Sequence, residues 1–291
     1  MNGSGELGEF LKARRARLLP EDVGLKTYLD KRRVPGLRRE EVALLAGISA
    51  PYYTRLEQGQ SHRASPEILD AIAQALCLTE SERTHLRLLA DAKQRRPSTR
   101  RPAPERVTDA TTALLDALND APTIVLGRST DVLAWNQLGH ALYAGHLPPD
   151  APRQPSTRPN MARLVFLDAH LRELYPDWLS KARAVVGNLR IAVGRNSDDP
   201  LLLNLIGELT VNSPEFAALW GDHRIQPCDV AAYAMNHPLV GSLTVTQQTL
   251  QSPSRPDQYI VVATAEPGSP SQTALNLLAQ ATAPTKTYQP T

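Results

Sequence analysis

The stretch Gly47-Ile48-Ser49-Ala50-Pro51-Tyr52-Tyr53-Thr54-Arg55-Leu56-Glu57-Gln58-Gly59 reads as a tight turn that hands over to a short helix. Gly47 supplies the turn, because a side chain there resists positive φ. Ile48 anchors the turn in a core. Ser49 stands where a hydroxyl caps the first free N–H groups of a helix. Pro51 fits the first helical turn, which has no internal donor to lose. Tyr53 and Leu56 then point inward and leave Ala50, Pro51, Tyr52 and Arg55 on the outer face. Upstream, Val42, Ala43 and Ala46 give an apolar stripe to a preceding helix expected over 37–46.

Two helices joined by such a turn form helix-turn-helix geometry, in which the start of the second helix enters the DNA major groove. The candidate DNA contacts are Arg38, Arg39, Ser49, Ala50, Pro51, Tyr52 and Arg55. Glu57 would repel phosphate and reads instead as a structural acceptor near the helix end. Charge is distributed to match. Residues 1–101 hold 19 Lys and Arg against 13 Asp and Glu, a net of +6, whereas 102–291 hold 13 against 17, a net of −4. A basic first third on an acidic remainder points to a polyanion partner for the first third alone.

Working outward, helices are expected over 6–18, 65–76 and 79–93. The fourth helix begins with a Ser65 cap and Pro66, and the fifth with a Thr79…Glu82 capping box. Leu44 and Leu45 are too apolar for a solvent face and are expected to pack under the long connection before 37. Residues 95–104 carry four arginines and three prolines without apolar periodicity, which marks a semi-rigid linker. Beyond it the signal is mixed. Helices are expected over 108–118, 178–193, 201–211, 215–220 and 271–281, and short strands over 123–127, 131–135, 231–236, 242–247 and 259–265. Five prolines between 147 and 159 mark a surface loop. The pattern predicts an α+β chain of two domains: an all-α five-helix domain over 1–94, the basic linker 95–104, an antiparallel-sheet domain with helices over 105–283, and a tail over 284–291. With no run of about 18 apolar residues, no membrane span is expected. The opening nine residues hold two Glu and no apolar block, so no secretory signal is expected either and the cytoplasm is the expected location. Cys77 and Cys228 read as plain buried or half-buried thiols rather than a disulfide.

Two strings carry a family likeness. Gly47-Ile48-Ser49, Tyr53 and Arg55-Leu56-Glu57-Gln58-Gly59, with Glu41-Val42-Ala43 before them, resemble the XRE (phage-repressor-like) helix-turn-helix family, whose fold is lambda-repressor-like. Arg39 stands where that family often has Gln. More narrowly, Arg32-Arg33-Val34-Pro35-Gly36-Leu37-Arg38-Arg39-Glu40-Glu41-Val42-Ala43 with Tyr52-Tyr53-Thr54-Arg55-Leu56-Glu57-Gln58-Gly59 resembles the MmyB-like regulators. In the second half Trp135-Asn136, 160–168, Tyr175-Pro176-Asp177-Trp178, Ser213-Pro214-Glu215-Phe216, His237-Pro238-Leu239-Val240-Gly241 and 264–269, in this order, resemble the MmyB-like ligand-binding domain, a PAS-like sensor. The resemblance implies a small, mostly apolar, fatty-acid-like bound ligand and no other cofactor. Trp135, Asn136, Phe166 and Trp178 are its candidate walls, and Arg163, Arg190 and His237 its candidate polar contacts.

The leading reading is a transcription regulator that binds a double-stranded operator as a homodimer and whose DNA binding responds to that ligand. One alternative is a constitutive DNA-binding dimer whose second half only dimerises. Another is an enzyme tethered to DNA, built on His237 with Asp168 or Glu208. The sequence has no nucleophile motif, no phosphate loop behind a strand and no i, i+4 histidine pair to support that last reading, although His140 and His146, which flank a turn, are residues that could ligate a metal.

Overall fold

The computed structural model describes residues 3–25, 36–60, 64–92, 105–155, 157–196, 199–222, 230–252 and 255–282. The linker at 95–104, Cys228 and the string Arg32-Arg33-Val34-Pro35 lie outside the described residues. The chain falls into two compact units. One comprises 1–101 with 187–206 and 217–227, the other 102–186, 207–216 and 228–291.

The first unit contains α1 (Gly3–Arg17), a 3-10 turn at Pro20–Val23, α2 (Arg39–Leu45), α3 (Ala50–Glu57), α4 (Pro66–Ala75) and α5 (Glu80–Ala92). These are the five expected helices. Leu7, Phe10 and Leu11 of α1, Val42 and Ala43 of α2, Tyr53 and Leu56 of α3, Leu69 and Ile72 of α4, and Leu86 and Leu89 of α5 form one apolar core. Burial of such side chains contributes about 1.5–3 kcal/mol each, which outweighs the weak intrinsic tendency of these short helices to form. The Thr79 box closes as expected: Thr79 N–H donates to Glu82 Oε2 at 2.8 Å, and Glu82 N–H donates to Thr79 Oγ1 at 3.4 Å. Arg14 of α1 meets Glu82 at 2.6 Å and ties the first helix to the fifth.

Three local expectations need correction. Ser65 holds the N-cap position of α4, but its side chain makes no cap hydrogen bond. Leu44 is not packed away; it is 72% exposed, because the α2 stripe of Val42, Ala43 and Ala46 leaves it on the opposite side, while Leu45 does pack partly against the core. Cys77 is exposed at φ +48°, just past the end of α4, so it belongs to the turn and not to the helix.

The second unit is built on a sheet of five antiparallel strands, β1 (Thr123–Leu126), β2 (Val132–Trp135), β3 (Val230–His237), β4 (Gly241–Ser252) and β5 (Arg255–Thr264), in the order β2-β1-β5-β4-β3. On β4, Leu243, Val245 and Gln247 are buried between exposed Ser242, Thr244 and Gln248, the period of two that a half-covered sheet requires. α6 (Asp109–Ala117) lays Leu115 on Val125 and Leu133. Between β2 and β3 the chain runs through α7 (Gln137–Ala144), α8 (Met161–Leu167), α9 (Ala169–Leu174), α10 (Trp178–Arg195), α11 (Pro200–Asn212) and α12 (Pro214–Gly221), of which 187–206 and 217–227 belong to the first unit, and α13 (Pro270–Thr282) closes the fold.

Asn136, at the joint of β2 and α7, holds this unit together. Its Oδ1 accepts from Thr123 N–H at 3.0 Å and from Gly139 N–H at 2.7 Å. Its Nδ2 donates to the carbonyls of Leu118 and Ala121 at 2.7 and 2.8 Å. Gly139 permits the approach, since a Cβ there would stand 2.3 Å from Thr123 O. Each bond is worth about 1 kcal/mol net, and each buried group left unpaired costs more. Asn136→Ala is therefore expected to lower the unfolding free energy of this unit by about 2–4 kcal/mol. A urea melt of the full chain followed by tryptophan fluorescence measures this, and a loss below about 1 kcal/mol would contradict the hub assignment.

Candidate DNA interface and ligand cavity

The turn between α2 and α3 follows the sequence expectation. Gly47 sits at φ +65°, and Ile48 N–H donates to Ala43 O at 3.0 Å. Ser49 Oγ accepts from Tyr52 N–H at 3.3 Å, which caps α3. Tyr53 and Leu56 are buried, Ser49, Pro51 and Arg55 are exposed, and Ala50 and Tyr52 are half-buried. Arg38 is the N-cap of α2, where its N–H donates to Glu41 Oε2 at 2.6 Å, and Arg39 opens the helix on the exposed side. Thr54 and Gln58, half-buried and exposed, share the outer face; the period of 3.6 that selected Pro51 and Arg55 also reaches them.

The end of α3 is fixed by a buried carboxylate. Glu57, with a side chain 1% exposed, accepts from Arg15 Nε and Nη2 at 2.9 and 2.9 Å, a bidentate pair from α1. Arg39 of α2 donates to the same carboxylate from Nε at 2.9 Å, and Arg15 Nη1 also reaches Leu37 O at 2.8 Å. Burial pushes the Glu57 pKa up, but the hydrogen bonds and charges of Arg15 and then Arg39 outweigh it, so the carboxyl lies below its ordinary value. Burial, then the adjacent Glu57 charge, pushes the neighbouring Tyr53 hydroxyl up. The structural reading of Glu57 thus holds, and Arg39 divides its guanidinium between this clasp and the surface.

In the second unit a cavity of about 780 Å³ opens between the end of β2, α7, the start of α9 and the β3–β4 turn. Trp135, Ala141, Pro149, Pro238 and Leu239 give it apolar walls, and His140, His146, His170 and His237 also line it. Trp135 Nε1 donates to Pro149 O at 2.7 Å. His237 lies 3.0 Å by Nε2 from Ala141 O, while its Nδ1 accepts from Leu239 N–H at 3.2 Å, so the proton sits on Nε2. His140 Nε2 is 2.8 Å from Leu147 O. The ring of His146 stacks against His170 at 4.3 Å, and its Nε2 is 3.2 Å from Asp168 Oδ2. The His170 pKa is lowered by burial and by neighbouring His146, and that of His237 by burial.

Of the residues expected to touch a ligand, the structure brings Trp135 and His237 together in this cavity. Asn136 is adjacent, with both ends of its side chain engaged by backbone. Arg163 lines a second cavity, of about 410 Å³, and forms a bidentate pair with Glu208 at 2.9 and 2.7 Å. Phe166 and Trp178 pack edge to face at 5.5 Å, Phe166 also meets Phe216 at 5.0 Å, and Arg172 lies 3.6 Å over the Trp178 ring. Arg190 belongs to the first unit. It is buried, donates from Nη2 to Trp220 O and lies 4.4 Å over that indole. Burial lowers its pKa to about 10. Of the four histidines that line the cavity, the sequence reading placed only His237 at the ligand site; it took His140 and His146 as a possible metal pair and passed over His170, which α9 brings to the cavity. His237, Asp168 and Glu208 are engaged with a backbone pair, His146 and Arg163 respectively. Among the described residues no three His, Cys, Asp or Glu side chains form a metal-holding group, and no helix is long and apolar enough to cross a membrane.

A capped helix-turn-helix in one unit and a cavity beside the sheet of the other are what a DNA-binding transcription regulator with a ligand-binding domain requires. Family comparison agrees. Residues 6–86 match a helix-turn-helix domain, and residues 107–278, more than half of the chain, match the MmyB-like transcription regulator ligand binding domain. The chain belongs to the MmyB-like transcription regulators. Both matched models describe regulator domains and neither an enzyme. Comparison with curated proteins gives no match.

The Glu57 clasp yields a prediction with a sign. Because its folded pKa is depressed, its contribution is fully present above the ordinary carboxylate range of about 4.3 and is lost as pH falls through the folded value. Glu57→Gln is expected to lower stability by about 3 kcal/mol at neutral pH, the cost of breaking a buried ion pair, and by progressively less as the solution is acidified. Equal destabilisation at neutral and acidic pH, read from chemical melts, would contradict the clasp.

Proposed function

We propose that this regulator acts in the cytoplasm as a homodimer that presses the outer face of α3 into the major groove, and that an apolar ligand in the His-lined cavity tunes its DNA affinity. The observation that carries the DNA half is the exposed row Ser49, Pro51 and Arg55, held on a helix whose inner face is locked by Tyr53, Leu56 and Glu57. Arg55 is the base-reading candidate, and Arg38 and Arg39 are the phosphate contacts flanking it.

Two observations support a pair of copies. One helix-turn-helix reads a short half-site, and a two-fold pair matches the pseudo-symmetry of an operator. The chain from Val230 to Ser252 contains no Asp, Glu, Lys or Arg, yet its strands expose Val230, Ala232, Ala234, Thr244 and Leu250. A charge-free sheet face of this kind suits burial against its own copy. The linker 95–104, between the two matched regions, would carry a change in that pairing to the recognition helices; three prolines transmit spacing better than a Gly/Ser tether does. A ligand shifts DNA affinity only if it binds the two states unequally, and a tenfold shift corresponds to about 1.4 kcal/mol of difference.

Arg55→Ala in the full chain is expected to weaken operator binding by about 1–3 kcal/mol while leaving the melting temperature unchanged. Unaltered affinity in a gel-shift titration would remove Arg55 from the interface. The wild-type affinity is expected to fall steeply with salt, because two copies of Arg38, Arg39 and Arg55 displace counterions from phosphate. A flat salt dependence would show that this face does not meet the backbone. Ala234→Glu is expected to convert the dimer to monomer in light scattering, and an unaltered mass would leave the sheet face without this role.

A further inference from the structure

This inference rests on the reading that the second unit governs DNA binding, and it concerns the route. α10 is one uninterrupted helix of 18 residues, about 27 Å long. Its two halves are built into different units: residues up to 186 belong to the sheet unit and those from 187 to the DNA-reading unit. The first half is fixed by polar bonds. Trp178 Nε1 donates to Val165 O at 2.7 Å. Lys181 Nζ donates to Gln247 Oε1 of β4 at 2.8 Å and lies 4.8 Å over the Tyr233 ring of β3. The second half is fixed in the five-helix unit. Ile191 packs against its apolar core. Gly194 lies so close to α5 that a Cβ there would stand 3.4 Å from the His85 ring and 3.6 Å from Leu88 Cβ. Arg190 donates to Trp220 O of α12 and lies over that indole. Asp222, just past α12, accepts from the Arg17 guanidinium of α1 with both its carboxylate and its carbonyl. α1 in turn reaches the recognition helix, because Arg15, two residues before Arg17, is the fork that holds Glu57 at the end of α3. Every link from α10 to α3 is therefore a helix or a bonded side-chain pair.

We propose that α10 is a mechanical coupling between the two units, beside the linker: a change in the sheet unit that moves Trp178 and Lys181 is passed by the same helix to its contacts on α1 and α5, and from α1 to α3. Such a coupling needs two arrangements of α10 that differ in DNA affinity. It is also reciprocal, so DNA held at α3 alters the surroundings of Lys181 by the same free energy as the reverse. That reciprocity lets the coupling be read from the DNA side, with no ligand present.

Hydrogen exchange read by mass spectrometry on the full-length protein tests this, with and without a saturating duplex that the wild type has selected from a random-sequence pool. In the wild type, amides of 178–186 and 243–247 are expected to change their exchange rate about fivefold or more on DNA binding, the lower end of ordinary coupling between sites. Gly194→Leu drives a side chain between α10 and α5 while raising the helix propensity of α10 itself. It is expected to abolish that response. Asp222→Asn removes the charge partner of Arg17 at an exposed position and is expected to reduce the response. Both variants are expected to bind the duplex still, because the Glu57 clasp involves neither residue. Gly194→Leu decides the matter if it binds the duplex, and Asp222→Asn decides in its place if the leucine variant does not fold. A response of wild-type size in the deciding variant would overturn the α10 route and leave the coupling to the linker 95–104. Absence of any response in the wild type would remove the reading that the second unit governs DNA binding, and this inference with it.

Discussion

A carboxylate with almost no access to water, Glu57, sets the geometry of the DNA-reading half. α3 has eight residues, too few to hold a helix by its own hydrogen bonds in water. Its position is imposed from outside, by two apolar side chains at its middle and by the Arg15 fork from α1 at its end. Arg39 adds a third helix to the same point. A charge buried this deeply is tolerated only when its lone pairs are matched, so the three helices are confined to the arrangement that matches them. Orientation of the outer face follows from that confinement, and an apolar residue of the same size would impose no such directional requirement.

The ligand-binding domain uses asparagine for a comparable purpose. Asn136 and Asn160 stand at the starts of α7 and α8 and grip opposite ends of the β1–β2 hairpin. Asn160 Oδ1 accepts from Ala162 and Arg163 N–H at 3.0 and 3.1 Å, while its Nδ2 donates to Ser129 O at 2.7 Å and to Asp131 Oδ1 at 2.9 Å. Deeper in, Gln247 Nε2 donates to the hydroxyls of Tyr143 and Tyr175 at 3.0 and 3.3 Å and its Oε1 accepts from Lys181 Nζ at 2.8 Å, which joins β4 to α7 and α10. Amides can donate and accept at once, so each serves several chain segments without introducing charge. The cavity beside Trp135 inherits a wall fixed by such bonds and a more lightly held rim at the β3–β4 turn, where Leu239 is 67% exposed.

Where a single physical rule governs a segment, its sequence was readable. Thr79 and Glu82 announced a capping box and Gly47 a left-handed turn, and the expected strand over 242–247 fell within the longer β4. The handover from strand to helix at Trp135-Asn136 marked the start of α7, but not its extent, and α8 and α9 were not announced. α7 is buried at Leu138, Gly139, Ala141, Leu142, Tyr143 and Ala144, nearly all round, which leaves little polar face to mark its length. α8 and α9 have seven and six residues, too few for a period to repeat. The same limit applies to the sites. Most of the proposed DNA face lies on one short helix, α3, and could be read from spacing. The cavity gathers His170 from a six-residue helix and His237 from a strand end, and no local pattern links them. Leu44 shows the converse error, since hydrophobicity alone did not place it inside.

The length of α3 also limits how much sequence it can distinguish. Eight residues rising about 1.5 Å each span about 12 Å, alongside roughly four base-pair steps at about 3.4 Å. Four fully read positions carry at most about 8 bits, since the major groove distinguishes four base pairs. Singling out one address among about a million competing sites takes roughly 20 bits. In the proposed homodimer, two copies reading in register would supply about 16 bits between them. The remainder would be left to groups outside α3 and to the stiffness and groove width of the DNA between half-sites.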